Sequence, residues 1–108
     1  MATSNRALEP VHPGELLRED FLEPMGITPY RLAEDIGVRH TRVYEILRGE
    51  RSITADTALR LSRYFGMSED YWIRVQAHYD LEVEKDRALE RIEREVKPWS
   101  EAAKAATA

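Results

Sequence analysis

Apolar positions return at helical spacing along most of the chain, and no strictly alternating stretch rich in β-branched residues interrupts them, so the pattern predicts helices and no strands. Glycines stand at 14, 26, 37, 49 and 66, and the first three gaps, of 12, 11 and 12 residues, each suit a short helix with its turn. A first helix is expected from Pro13 to about Leu22, with Leu17 and Phe21 one turn apart and Pro24 stopping it. Thr28 then caps a second helix that opens with Pro29, buries Leu32, Ala33 and Ile36, and ends at Gly37 in a left-handed cap. After the Gly37-Val38-Arg39 turn, a third helix is expected from His40 to about Arg48, closed by Gly49. Thr54 caps a fourth, with Ile53 stapled against Ala58 and with Ala58, Leu61 and Phe65 inward, and Gly66 closes it. Ser68 caps a fifth between the staple pair Met67 and Trp72, and nothing breaks helical structure from Glu69 to Lys97.

The fold class is therefore all-α, with the five helices over residues 13–80 and a C-terminal helical extension over 81–97. Residues 1–12 are expected to form a flexible arm and 98–108 a flexible tail. The extension is charge-laced, with Ala88, Leu89, Ile92 and Val96 as a thin apolar stripe too narrow for a core helix.

The third helix has two unlike faces. With His40 taken as zero, Val43, Ile46 and Leu47 fall at about 300°, 240° and 340°, one apolar sector. His40, Tyr44, Arg48, Thr41 and Glu45 fall at about 0°, 40°, 80°, 100° and 140°, a polar and aromatic sector. Any outer helix of a bundle has a polar face. Here the helix also follows a tight turn after another short helix, and arginines flank it, which is the build of a helix-turn-helix recognition helix.

Charge supports this only once its distribution is considered. The chain carries a net charge of -4, which taken alone argues against a polyanionic partner. Pro29 to Arg63 nevertheless holds 7 arginines against 5 acids, while Met67 to Ala108 holds 7 basic residues against 10 acidic ones. Every cation before Lys85 is an arginine, the side chain suited to forked contacts with phosphate and guanine. Cysteine is absent, which removes disulfides, thiolate metal ligands and cysteine nucleophiles and suits a reducing cytosol. No apolar run has membrane-spanning length, and Met1 to Pro10 lacks the apolar stretch of a signal peptide.

The segments HPGELLREDFLEPMGIT, RLAEDIGV, LRGERSITADTALRLSRYFGMSEDYW and QAHYDL, from about Val11 to Leu81, resemble the HigA antitoxins of the Cro and repressor-like helix-turn-helix superfamily. The resemblance implies a five-helix repressor-like helix-turn-helix DNA-binding domain over residues 13–80, a homodimer on a palindromic double-stranded operator in its own promoter, and neutralisation of a RelE-like, mRNA-cleaving toxin of the HigB type. It places base contacts at the start of the recognition helix, on His40, Thr41 and Tyr44, and leaves Thr28, Arg31, Arg39, Arg42, Arg48 and Arg51 as candidates for the DNA backbone. Tyr44 stands where family members often carry a small Ser, and Arg48 where they often carry Asn, so both bear on which operator is read. Glu45 either accepts from a cytosine amino group or pairs with Arg42 or Arg48. One domain covers only a half-site, so dimerisation is expected, with Tyr79, Leu81 and Leu89 as anchors.

Other chemistries fare worse. His12, His40 and His78 have no metal-ligand spacing, and His12 is better placed to cap the first helix, so neither a metal nor a cofactor is expected. The adjacent acids Glu19 and Asp20, or Glu69 and Asp70, diverge by about 100° and cannot converge on one atom, and no catalytic motif is present, so no enzyme is expected. Tyr71 and Tyr79 suit either a core or a partner surface. A stand-alone repressor and an adaptor that binds protein without reading DNA are the alternatives.

Overall fold

The computed structural model describes residues 9–101, so most of the arm expected over 1–12 and part of the tail expected over 98–108 lie outside the described residues. Among the described residues five helices follow one another from Pro13 to Glu95, residues 99–101 of the expected tail are helical as well, and there is no strand. Helix α1 comprises Pro13–Leu16, a π-helical stretch Leu17–Leu22 and Glu23–Met25; α2 is Pro29–Ile36, α3 His40–Leu47, α4 Ala55–Phe65 and α5 Tyr71–Glu95.

Each start has a local cause. His12 Nδ1 accepts the Gly14 N–H at 2.9 Å, and Pro13 supplies a first-turn residue with no N–H to satisfy. Thr28 and Thr54 cap α2 and α4 through their hydroxyls, at 3.0 Å to the Arg31 N–H and 3.4 Å to the Thr57 N–H. Two expectations need correcting. Pro24 does not stop α1: the Glu23 N–H already reaches back to the Arg18 carbonyl, and this wider π turn carries the chain through the proline to a left-handed Gly26. Ser68 makes no side-chain cap; its carbonyl accepts the Tyr71 N–H at 3.1 Å, a turn spans the acids after it, and α5 begins only at Tyr71.

The core gathers Leu17, Leu22, Leu32, Ala33, Ile36, Val43, Ile46, Leu47, Ile53, Ala58, Leu61 and Trp72, with Trp72 wholly buried. Phe65 sits at its edge, half-buried, with its ring 4.9 Å from that of Phe21. Gly14 has a role that a helix-and-turn reading of the glycines misses: a Cβ there would overlap the Ile46 carbonyl, so glycine lets α1 lie directly on the end of α3. Buried Gln76 of α5 accepts the Ile53 N–H at 2.8 Å and donates to Asp80 at 2.9 Å, which ties the loop before α4 to the long helix.

Candidate nucleic-acid interface

The α2-turn-α3 unit is set by its turn. Gly37 takes φ 74°, ψ 38°, and the N–H groups of Gly37 and Val38 both donate to the Ala33 carbonyl, at 3.0 and 3.1 Å. Arg39 is extended and starts α3, whose Val43, Ile46 and Leu47 are buried. Arg18 of α1 donates to the Leu47 carbonyl at 3.2 Å, satisfying an orphan acceptor at the far end of that helix. The burial leaves Thr41, Tyr44 and Arg48 exposed and His40 partly so, the division of faces that the spacing predicts.

The groups around that face are largely paired. The His40 ring stacks on Tyr30, with centroids 4.1 Å apart and planes 12° from parallel, and its Nε2 lies 3.1 Å from Glu34 Oε2. Arg31 Nε reaches both Asp35 oxygens at 2.8 and 2.9 Å, while the Tyr64 hydroxyl donates to Asp35 at 2.6 Å. The Tyr64 hydroxyl first, and Arg31 next, hold the Asp35 carboxyl below the usual carboxylate range. Arg48 pairs with Glu50 through two nitrogens, each at 3.1 Å. Glu45 is taken by Arg51 at 2.7 Å and not by Arg42 or Arg48, because the left-handed turn at Gly49 brings the chain back over the end of α3. Arg42 donates to Asp56 and Thr57 on α4, each at 3.2 Å. Arg39 forms no ion pair among the described residues.

Thr28, Arg31, Arg39, His40, Thr41, Tyr44, Arg48 and Arg51 thus lie on or beside one motif, while Arg42 turns toward α4. Tyr30, Glu34, Asp35, Asp56, Arg60 and Tyr64 are neighbours that the sequence pattern did not single out. The four-residue spacings Arg31 to Asp35 and Asp56 to Arg60 were a usable signal for two of those pairs. The proposed dimer anchors do not share a face. Tyr79 is half-buried, its ring edge-on to His12 at 4.9 Å, whereas Leu81, about 160° away around α5, is 59% exposed. Leu89 is also exposed. Tyr71 lines an apolar groove of about 560 Å³ with Val11, Leu16, Val75 and His78. No cluster of three or more metal-ligating side chains, and no helix long and apolar enough to cross a membrane, occurs among the described residues.

Residues 19–72 match the helix-turn-helix family. The chain is 50% identical over 78 residues to virulence-associated protein I of Dichelobacter nodosus, covering 71% of this chain and 72% of that one. It is 40% identical over 72 residues to antitoxin HigA-1 of Vibrio cholerae, covering 67% and 68%. Among solved structures it is similar to the Pseudomonas aeruginosa antitoxin HigA with the higBA promoter, at 40% identity and a TM-score of 0.80, over 83% of this chain and 98% of that one. The match spans the two-helix motif and its supporting core together, and the chain belongs to the HigA antitoxins of the helix-turn-helix family, a DNA-binding family and not a family of enzymes.

Proposed function

We propose that this chain is the antitoxin of a type II toxin-antitoxin pair, which as a homodimer represses its own operon at a palindromic operator and neutralises a RelE-like, mRNA-cleaving toxin of the HigB type. The observation that carries the reading is the exposed start of α3. Thr41 and Tyr44 stand free beside His40, directly after a turn whose Arg39 has no ion-pair partner among the described residues. A helix shaped in this way enters the major groove N-terminus first, so His40, Thr41 and Tyr44 meet base edges. Thr28, Arg31, Arg39, Arg48 and Arg51 meet phosphates on either side. The Arg48–Glu50 pair is exposed on both sides, a kind that contributes little, so exchanging Glu50 for phosphate is cheap, whereas Asp35 on Arg31 and Glu45 on Arg51 are only 25% and 35% exposed.

One domain covers one half-site, and two domains about 34 Å apart span an operator. The dimer uses the extension, with Leu81 and Leu89 as exposed anchors and Tyr79 at its root. The toxin, basic because it handles RNA, docks on the acidic residues of α1 (Glu15, Glu19, Asp20, Glu23) and the net-negative segment from Met67 onward. The protein acts by binding, without catalysis, in the bacterial cytoplasm.

Two assays test this: a mobility shift of the purified chain on DNA from just upstream of its own operon, and growth rescue in cells that co-express the chain with the product of the adjacent reading frame. Both are expected to succeed. A shift without rescue points to a stand-alone repressor, and rescue without a shift points to an adaptor.

A further inference from the structure

Arg42 differs from the other arginines of the motif in what holds it. Its side chain is 34% exposed, against 70%, 55% and 46% for Arg31, Arg48 and Arg51. Its Nη1 donates at 3.2 Å both to Asp56 Oδ2 and to the hydroxyl of Thr57, a buried residue. That same Asp56 oxygen accepts Arg60 Nε at 2.9 Å. Arg60 in turn donates from Nη1, at 2.9 Å, to the carbonyl of Ile36, the last residue of α2. This carbonyl is one of the acceptors that a helix end leaves without an intrahelical donor. The guanidinium lies along the turn itself, with Nη1 only 3.3 Å from where a Cβ on Gly37 would stand. One carboxylate at the start of α4 therefore links the reading helix, through Arg42, to the end of the helix before it, through Arg60.

We propose that Asp56, with Arg42 and Arg60, is a positioning clasp that fixes the angle between α2 and α3 and so sets the reading helix in the operator groove. This rests on the DNA-binding reading above. In it Arg42 acts through Asp56 and not on phosphate. Arg60 and then Arg42 hold the Asp56 carboxyl below the usual range, so the clasp is closed at neutral pH. Charge alone makes the opposite prediction. Removing an acid beside a DNA-binding face should strengthen binding to every duplex, because it raises the local positive potential.

Fluorescence anisotropy across a salt series separates the two, using a duplex footprinted from the chain's own upstream region and a scrambled duplex of equal length. Asp56→Asn is expected to lose roughly threefold to tenfold in affinity for the footprinted duplex. Its affinity for the scrambled duplex should not fall, and its salt slope should stay the same. Asp56→Glu, which keeps the charge, should restore affinity to within about twofold of the parent. Arg60→Gln should reproduce the Asp56→Asn loss, and the double variant should lose no more than either single one. Asp56 is exposed, so Asp56→Asn should melt within about 3 °C of the parent, and Arg60→Gln carries the test if it does not. Tighter binding of Asp56→Asn to both duplexes alike overturns the clasp. A parent chain that does not distinguish the two duplexes overturns the DNA-binding reading, and the clasp with it.

Discussion

Tyr71 to Asp80 and Leu81 to Glu95 are successive halves of α5, and the first is fixed by what it touches while the second is fixed by its own side chains. In the first half Trp72 is wholly buried, with its ring against those of Phe21 and Tyr71, and Gln76 satisfies the Ile53 N–H. In the second, Leu81, Leu89 and Ile92 are exposed and Ala88 is buried, while Lys85 pairs with Glu82, Arg87 with Glu84 and Arg91 with Glu95 along the helix surface. Such pairs sustain a helix by tenths of a kcal/mol each, whereas one buried aromatic contributes several kcal/mol. The main core cluster therefore takes its last residue, Trp72, from the first half, and Ala88 is buried apart from it.

The sharpest way to break this contrast is to cut the first half. Trp72→Ala should cost about 3 to 5 kcal/mol, enough to unfold a marginal domain, as read by thermal or urea melting. Trp72→Phe should cost much less, because the indole N–H has no hydrogen-bond partner among the described residues. Gly14→Ala belongs with the severe changes, since the added methyl meets backbone of Ile46 that cannot swing aside. Gln76→Ala should cost about 1 to 3 kcal/mol, since it strands the Ile53 N–H in the core.

A pH effect comes next. Burial lowers the His12 pKa below its ordinary value of 6.5, against an opposing pull from Asp80. The unfolded chain thus binds this proton more readily than the folded one. The histidine's contribution is fully present above pH 6.5 and is lost as pH falls through the lower folded value. Protonation also costs the helix its cap, because a protonated Nδ1 cannot accept the Gly14 N–H. The melting temperature should fall between about pH 7 and pH 5 by more in the parent than in His12→Asn, which keeps a capping oxygen. The smallest change belongs to the second half of α5. Glu84→Gln should move stability by only a few tenths of a kcal/mol, an effect that added salt erases.

The parts of the fold legible in the sequence were those decided within a few residues. Thr28, Thr54, Gly37 and Gly66 announce their caps because capping is a local bond, and the inner face of α3 follows from spacing alone. Pro24 misled because the wider π turn before it carries the helix past the proline, and Ser68 misled because a serine can open a turn as readily as it caps a helix. The polar partners at the interface were not legible. Tyr30 reaches His40 across the turn, Arg51 folds back onto Glu45, and Tyr64 and Asp56 arrive from a helix whose docking no local pattern encodes.

The central claim, that α3 reads DNA through its exposed N-terminal edge, is tested most directly by comparing Thr41→Ala with Arg39→Ala on operator and scrambled duplexes over a salt series. Thr41→Ala should lose about 1 to 3 kcal/mol of preference for the operator with its salt slope intact. Arg39→Ala should weaken both duplexes alike and make the slope shallower by about one unit for each phosphate that the arginine neutralises in a half-site. If Thr41→Ala, and with it His40→Ala and Tyr44→Ala, leave the discrimination between the two duplexes unchanged, α3 is not the reading helix.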